Sequence, residues 1–341
     1  MRSLFSYALS LGGFLRRKSL RHLIVHVTNH CNFRCRHCFI DFSRQRDLKL
    51  EHFQRLARET GPLFWMDIGG GEPFLRKDLA DIAATFKTTV LSIPTNGSLP
   101  EQAIEQLSRL KRMVNAEIVV SLSLDGLADT HDQIRGQNGN YNQVWNTFAA
   151  LRRLGGLSLK ITTVINNRNI HEIIPLMHEV RRHDPDFHSV ILMRGQPTDP
   201  QMALPPLDIL TGLGPEILKI IHTYDYGKGK LSSNILRNYH RYLWKLSLDT
   251  LRQKKQIIPC LGGTAHMVVW GNGLVSCCEM LEPVGDIRTQ SFAEILSGTP
   301  YQRQRDAIVA GQCHCTHNCA MLDSVFFNPA CMARLFFPIK V

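Results

Sequence analysis

Between residues 23 and 193, short apolar runs of strand character alternate with longer stretches of helical composition, and this alternation constrains the fold most. The strand-like runs are 23–27, 63–68, 89–93, 118–124, 159–165 and 189–193; helical composition marks 51–59, 78–86, 101–111, 143–154 and 170–182. Such alternation builds right-handed βαβ units around a parallel sheet. Six strands predict an α/β fold, a partial (β/α)6 barrel rather than a closed eightfold one. By analogy with closed barrels, the chemistry belongs at the C-terminal ends of the strands.

The first strand leads into Cys31-Asn32-Phe33-Arg34-Cys35-Arg36-His37-Cys38, a C-x3-C-x2-C loop. Three thiolates on one loop can ligate three corners of a 4Fe–4S cluster, whereas an electron-transfer cluster normally has four cysteine ligands. The fourth iron is then open to a substrate or cofactor, which is what reductive cleavage of S-adenosylmethionine requires. The plainer alternatives are a zinc loop lacking its fourth ligand and three buried thiols; zinc sites favour paired C-x2-C knuckles.

Each later motif also falls at a strand end. The second strand ends in Gly70-Gly71-Glu72-Pro73, where glycines permit close backbone approach and a carboxylate can accept from an ammonium. The third ends in Pro94-Thr95-Asn96-Gly97, which by itself is an ordinary Asn-Gly turn. The fourth ends in Ser123-Leu124-Asp125-Gly126, where period-two alternation puts Ser123 and Asp125 on one face, suited to ribose hydroxyls. His131-Asp132-Gln133-Ile134-Arg135-Gly136 follows, and the last strand ends in Met193-Arg194-Gly195. In type and order these segments resemble the motifs of the radical S-adenosylmethionine (radical SAM) superfamily over residues 20 to 195. The resemblance implies a cluster on Cys31, Cys35 and Cys38 and S-adenosylmethionine held by Gly70, Gly71, Glu72, Asn96, Ser123, Asp125, Arg135 and Arg194. It implies reductive cleavage to a 5′-deoxyadenosyl radical, hydrogen abstraction from a substrate, and a flavodoxin- or ferredoxin-like reductant.

A proline-rich linker at 196–206 and a helical stretch at 208–255 precede a change of character at Cys260. Cys260, Gly273 and Cys278 form C-x12-G-x4-C, and Cys313, Cys315 and Cys319 form C-x-C-x3-C. This region resembles the SPASM/twitch extension, which carries auxiliary 4Fe–4S clusters. The resemblance implies one auxiliary cluster on Cys260, Cys278, Cys315 and Cys319. A second cluster is the lesser alternative, since the cysteine run is shorter than a full SPASM run and only Cys277, Cys313 and Cys331 remain. Whether Cys277 or Cys278, and Cys313 or Cys315, is the ligand stays open, and a zinc site on the same cysteines is the plain alternative. Glu279, next to Cys278, matches an acid that takes the substrate proton in sulfatase-maturing relatives; an exposed surface glutamate is the competing reading.

The expected domains are an N-terminal amphipathic segment 1–20, the barrel 21–195, the linker and helical segment 196–258, and the auxiliary domain 259–341. Leu4, Ala8, Leu11 and Leu15 lie on one helical face, expected to pack on the barrel, with peripheral membrane contact as the alternative. No export signal accompanies the ten cysteines, so a reducing cytoplasm is expected. The net charge of +11 is scattered without an arginine-rich tail, which disfavours nucleic acid. The substrate is expected to be a small molecule, sugar or lipid headgroup, with a peptide or protein maturase as the alternative and a non-catalytic electron carrier as a remote one.

Overall fold

The structure, a computed structural model, describes residues 2–42 and 47–339, with side chains from Tyr7 onward. Six strands, β1 (His22–Thr28), β2 (Leu63–Gly70), β3 (Thr88–Thr95), β4 (Glu117–Ser123), β5 (Ser158–Ile165) and β6 (Phe187–Leu192), pair in parallel with their sequence neighbours. A helix α1 (Arg2–Arg17) precedes them, and the crossovers carry α2 (Leu50–Thr60), α3 (Leu79–Thr85), α4 (Pro100–Met113), α5 (Ala128–Arg135), α6 (Asn140–Leu154) and α7 (Ile173–Arg182). This is the expected partial barrel, and its sheet is not closed.

The sheet continues past β1. After α8 (Leu207–His222) and α9 (Lys230–Gln253), strand β7 (His266–Val269) pairs in parallel with β1, His22 opposite His266. Two short antiparallel strands, β8 (Leu274–Ser276) and β9 (Gly285–Asp286), extend it to nine in the order β6-β5-β4-β3-β2-β1-β7-β8-β9. The cysteine-rich region, with α10 (Phe292–Ser297), α11 (Thr299–Val309), α12 (Asn318–Phe326) and α13 (Pro329–Arg334), is thus tied to the barrel by backbone pairing. Because β1 has a strand on either side and both faces covered, all seven of its residues are buried.

Strand β5 alternates regularly. Leu159, Ile161, Thr163 and Ile165 are buried, while Ser158, Lys160, Thr162 and Val164 line the barrel interior. Helix α5, absent from the sequence-level segments, ends on Gly136 in the left-handed region at φ 66°.

Helix α1 buries a different face from the one expected. Ala8 and Leu15 are exposed, and the Leu4 side chain lies outside the described residues. Leu11 does face inward, but with Tyr7, Ser10 and Phe14 as its neighbours on the buried face, also at helical spacing. The Tyr7 ring packs 5.7 Å from Phe64 and 5.8 Å from Phe326, and Phe14 lies 5.2 Å from Phe327. Aromatic rings give the larger burial, which decides the rotation of the helix. Among the described residues, no helix is long and apolar enough to cross a membrane.

Candidate functional site

A cavity of about 480 Å³ occupies the barrel interior, and Cys31, Cys35 and Cys38 all open onto it. The cysteine loop is fixed by contacts that do not involve its sulfurs. Arg36 N donates to Ile134 O at 2.8 Å, Thr198 N to Cys38 O at 2.8 Å, and Asn96 Nδ2 to Asn32 Oδ1 at 2.9 Å. Burial, reinforced by Glu72 and the other two thiols, pushes Cys31 up to about 11.

Gly70 and Gly71 line the same cavity, but their lack of a Cβ serves the chain's own backbone. A Cβ at Gly70 would stand 2.0 Å from Thr28 O, and one at Gly71 2.0 Å from His30 O. Gly70 thus approaches the end of β1 and Gly71 the start of the cysteine loop. Gly71→Ala is therefore expected to displace that loop, costing about 1–3 kcal/mol as overpacking does, with reduced iron retention. Unchanged thermal stability and iron content would show that the loop can shift freely.

Glu72 is buried at the cavity wall. Its carboxylate accepts from Phe74 N at 3.2 Å, Thr95 Oγ1 at 3.0 Å and Asn96 N at 2.7 Å. Burial raises it to about 7 in spite of these donors and of the more distant Arg135 charge. An added ammonium would correct that imbalance, so the donor set fits the amino group of S-adenosylmethionine. Asn96 also closes its turn, its Oδ1 accepting from Ser98 N at 2.9 Å.

Ser123 lies at the cavity wall as expected, whereas Asp125 does not. Asp125 is fully buried behind it, with Arg135 Nη2 at 2.7 Å and Val164 N donating at 2.8 Å. The alternation that predicted a shared face stops at Ser123, where β4 ends, so Asp125 does not face the cavity beside Ser123 to meet a ribose. Arg135 bridges the two halves of this arrangement: Nη1 lies 3.6 Å from Cys35 Sγ. The Asp125–Arg135 pair thereby orients a cation on a cysteine of the loop.

Glu279 is buried in the cavity wall, not on the surface. Its Oε1 pairs with His26 Nε2 at 3.0 Å, and its Oε2 with His317 Nε2 at 2.7 Å and Arg194 Nη2 at 3.2 Å. Burial opposes its charge, yet Arg194, His26 and His317 together hold it well below the ordinary 4.5. This changes the general-base expectation, since a carboxylate held so firmly ionised is a poor proton acceptor near neutrality. Arg194, expected at the cofactor, is the counter-charge of this carboxylate and lies over the Phe39 ring at 5.1 Å.

The auxiliary cysteines divide by direction. Cys278 Sγ lies 3.4 Å from His317 Nδ1, and Cys260 and Cys315 stand near enough to help raise its pKa, after burial. Cys313, with Cys315, does the same to Cys260. Cys277 points elsewhere, into the apolar core beside Gly263 and Arg305. Cys319 opens onto the barrel cavity with Sγ 3.6 Å from Asp67 Oδ2. Cys331 is buried against Tyr242. Among the described residues, no three His, Cys, Asp or Glu side chains gather closely enough to hold one metal ion; a four-iron cluster, binding each thiolate at a separate corner, asks for wider spacing.

Sequence reasoning passed over the histidines of β1. His22, Ile24 and His26 alternate with Leu23, Val25 and Val27, and the first three line the cavity. That alternation was visible in His-Leu-Ile-Val-His. His22 bridges Asp323 at 2.8 Å and Asp67 at 3.0 Å. Burial works against its charge, but the two carboxylates raise it to about 10.

Residues 25–180 match the family model of the radical SAM superfamily, and residues 260–320 match SPASM, an iron–sulfur cluster-binding domain. The chain is a member of the radical SAM superfamily with a C-terminal SPASM domain. Mycofactocin maturase MftC of Mycobacterium tuberculosis is 26% identical, the match covering 91% of this chain and 78% of the relative. GTP 3′,8-cyclase of Marinobacter nauticus is 30% identical over 50% of this chain and 53% of its own. Fe-coproporphyrin III synthase of Methanosarcina barkeri is 30% identical over 44% and 38%. The last two matches thus span about half or less of those relatives' length. Among solved folds, Streptococcus suis SuiB bound to S-adenosylmethionine superposes with a TM-score of 0.62 at 17% identity, covering 85% of this chain and 69% of that one. Native anSMEcpe with bound AdoMet gives 0.58 at 16% identity, covering 93% and 95%.

Proposed function

We propose that this radical SAM protein cleaves S-adenosylmethionine reductively and directs the resulting hydrogen abstraction at a peptide held in the barrel cavity. The observation that carries the reading is that Cys31, Cys35, Cys38, Glu72, Arg194, Glu279 and Cys319 all open onto one cavity. A 4Fe–4S cluster with bound S-adenosylmethionine supplies one-electron cleavage of a sulfonium and, through it, hydrogen-atom abstraction. The residues proposed to hold that pair are the three loop cysteines, with Glu72 receiving the amino group and Ser123 lining the same cavity. Asp125 and Arg135 act from behind the loop, fixing a positive charge against Cys35. On the SPASM side, Cys260, Cys278 and Cys315 are the proposed auxiliary ligands, with Cys313 and Cys319 competing for the fourth place. Arg194, His26 and His317 keep Glu279 ionised between the two regions. A flavodoxin- or ferredoxin-like protein is the proposed electron donor.

Coverage favours the peptide. MftC, a maturase, aligns along both domains, whereas the cyclase and the synthase align with half of this chain or less. The test is anaerobic reconstitution with iron and sulfide, followed by dithionite and S-adenosylmethionine. 5′-Deoxyadenosine and methionine are expected in equal amounts, slowly without substrate; their absence from cluster-loaded protein would refute the reading.

A further inference from the structure

We propose that Lys160 is the substrate-anchoring residue of the barrel cavity and binds a carboxylate of the substrate. The inference rests on the reading of the cavity as a substrate site and adds the chemistry it selects. Lys160 projects inward from the middle of β5, opposite Ser121 on β4 and Phe187 on β6. It lies two residues below Thr162, which pairs with Ser123 at the top of β4. Two residues of strand span about 6.6 Å, so the ammonium stands beneath the cysteine-loop level, on the cavity's deeper side.

Among the described residues, every other lysine or arginine opening on this cavity has an acid in contact. Arg135 has Asp125 at 2.7 Å, Arg194 has Glu279 at 3.2 Å, and Lys228 has Glu117 at 2.6 Å. Among the described residues, Lys160 alone of these cations makes no hydrogen bond or ion pair; its ammonium lies over the Phe187 ring, 5.5 Å from the centroid. Asp67, the acid that most favours its charge, is committed elsewhere, with Oδ2 on His22 and Oδ1 accepting from Trp65 Nε1 at 3.0 Å. Lys160 is half-buried, and its three ammonium donors open onto the cavity without a protein acceptor, so an entering ligand can supply one.

The surroundings set the class of anion. The neighbouring imidazole of His240 is driven to about 4 by burial and by Lys160 itself, so it is neutral and adds no second charge. Burial likewise lowers the Lys160 ammonium, as desolvation of an unpaired cation does. One uncompensated positive charge, with no guanidinium fork beside it, balances a monoanionic carboxylate better than a phosphate dianion.

A peptide can present a carboxylate from an acidic side chain or from its C-terminus, and binding assays separate the two. The cluster-loaded protein, without reductant, is titrated calorimetrically with three probes. These are the doubly blocked tripeptide acetyl-Ala-Glu-Ala-amide, its glutamine counterpart, and acetyl-Ala-Ala with a free C-terminus. At least one acidic probe is expected to bind about 10-fold more tightly than the glutamine peptide, the effect of one charge-assisted hydrogen bond. Lys160→Gln should erase that preference and Lys160→Arg should keep most of it. Whichever acidic probe is preferred identifies the source of the carboxylate. Equal binding of glutamate and glutamine peptides together with no binding of the free C-terminus would overturn the proposal, as would a preference that survives Lys160→Gln. The wild-type comparison stands even if a variant fails to fold. Since no reductant is present, failure here is distinct from failure of cofactor cleavage, which the 5′-deoxyadenosine assay reads separately.

Discussion

Replacing Cys31, Cys35 and Cys38 together by alanine should lower the iron of reconstituted protein from about 8 to about 4 per chain, for two four-iron clusters reduced to one, and abolish 5′-deoxyadenosine formation. The fold should survive the change. The loop is held by Arg36 N on Ile134 O, Thr198 N on Cys38 O, and the Asn32–Asn96 side-chain contact, none of which uses a sulfur. Arg135 loses its contact to Cys35 but keeps Asp125 at 2.7 Å. A near-native circular dichroism spectrum with halved iron would therefore locate the loss at the metal site and not in folding. Iron that stays near 8, or cofactor cleavage that persists, would remove the loop from the chemistry. Iron near zero would mean that the SPASM cysteines hold no cluster of their own once the loop is emptied.

How far the sequence foretold this site depends on the range over which its signal acts. The cysteine triplet and the Gly70-Gly71-Glu72-Pro73 turn are local, and each falls at the end of a strand whose apolar run is also local. Their order alone placed them on one rim. Asp125 was misplaced by extending a two-residue period one step beyond the end of β4. Helix α1 kept its 3.6-residue period but not its phase, because the partners of Tyr7, at Phe64 and Phe326, are remote in sequence. The pairing of β1 with β7 joins residues 22 and 266, and nothing in either strand states that it will meet the other. Lys160 carried a weak local sign, as a cation inside an alternating strand. Its lack of a partner, however, is a property of the whole cavity wall. Glu279 was found for its position beside Cys278, while the three groups that fix its charge come from β1, the end of β6 and the start of α12.

That convergence makes Glu279 the residue whose loss should be most damaging outside the cysteines. Glu279→Gln keeps the shape and removes the charge, leaving Arg194, whose side chain is 19% exposed, without its carboxylate. Breaking a buried pair from one side typically costs about 3–5 kcal/mol, and His26 and His317 lose the same ionic acceptor. The pH dependence follows from the direction of the shift. The folded carboxyl titrates below its ordinary 4.5, so its contribution is complete above about 4.5 and is lost as the pH falls through the folded value. The penalty of Glu279→Gln should therefore be full at pH 7 and shrink toward the acid limit, read as the difference in urea midpoint between wild type and variant under anaerobic conditions. Arg194→Gln should be comparably harmful, and the Glu279→Gln/Arg194→Gln double variant less so than the sum of the two, because it removes both charges. Additive costs would mean that the 3.2 Å contact carries no coupling. A penalty under about 1 kcal/mol, ordinary for an exposed pair, would mean that water reaches Glu279 and that its buried setting does not persist in solution. If the coupling holds, any slowing of product by Glu279→Gln must first be corrected for the misplaced Arg194 before Glu279 is assigned a proton.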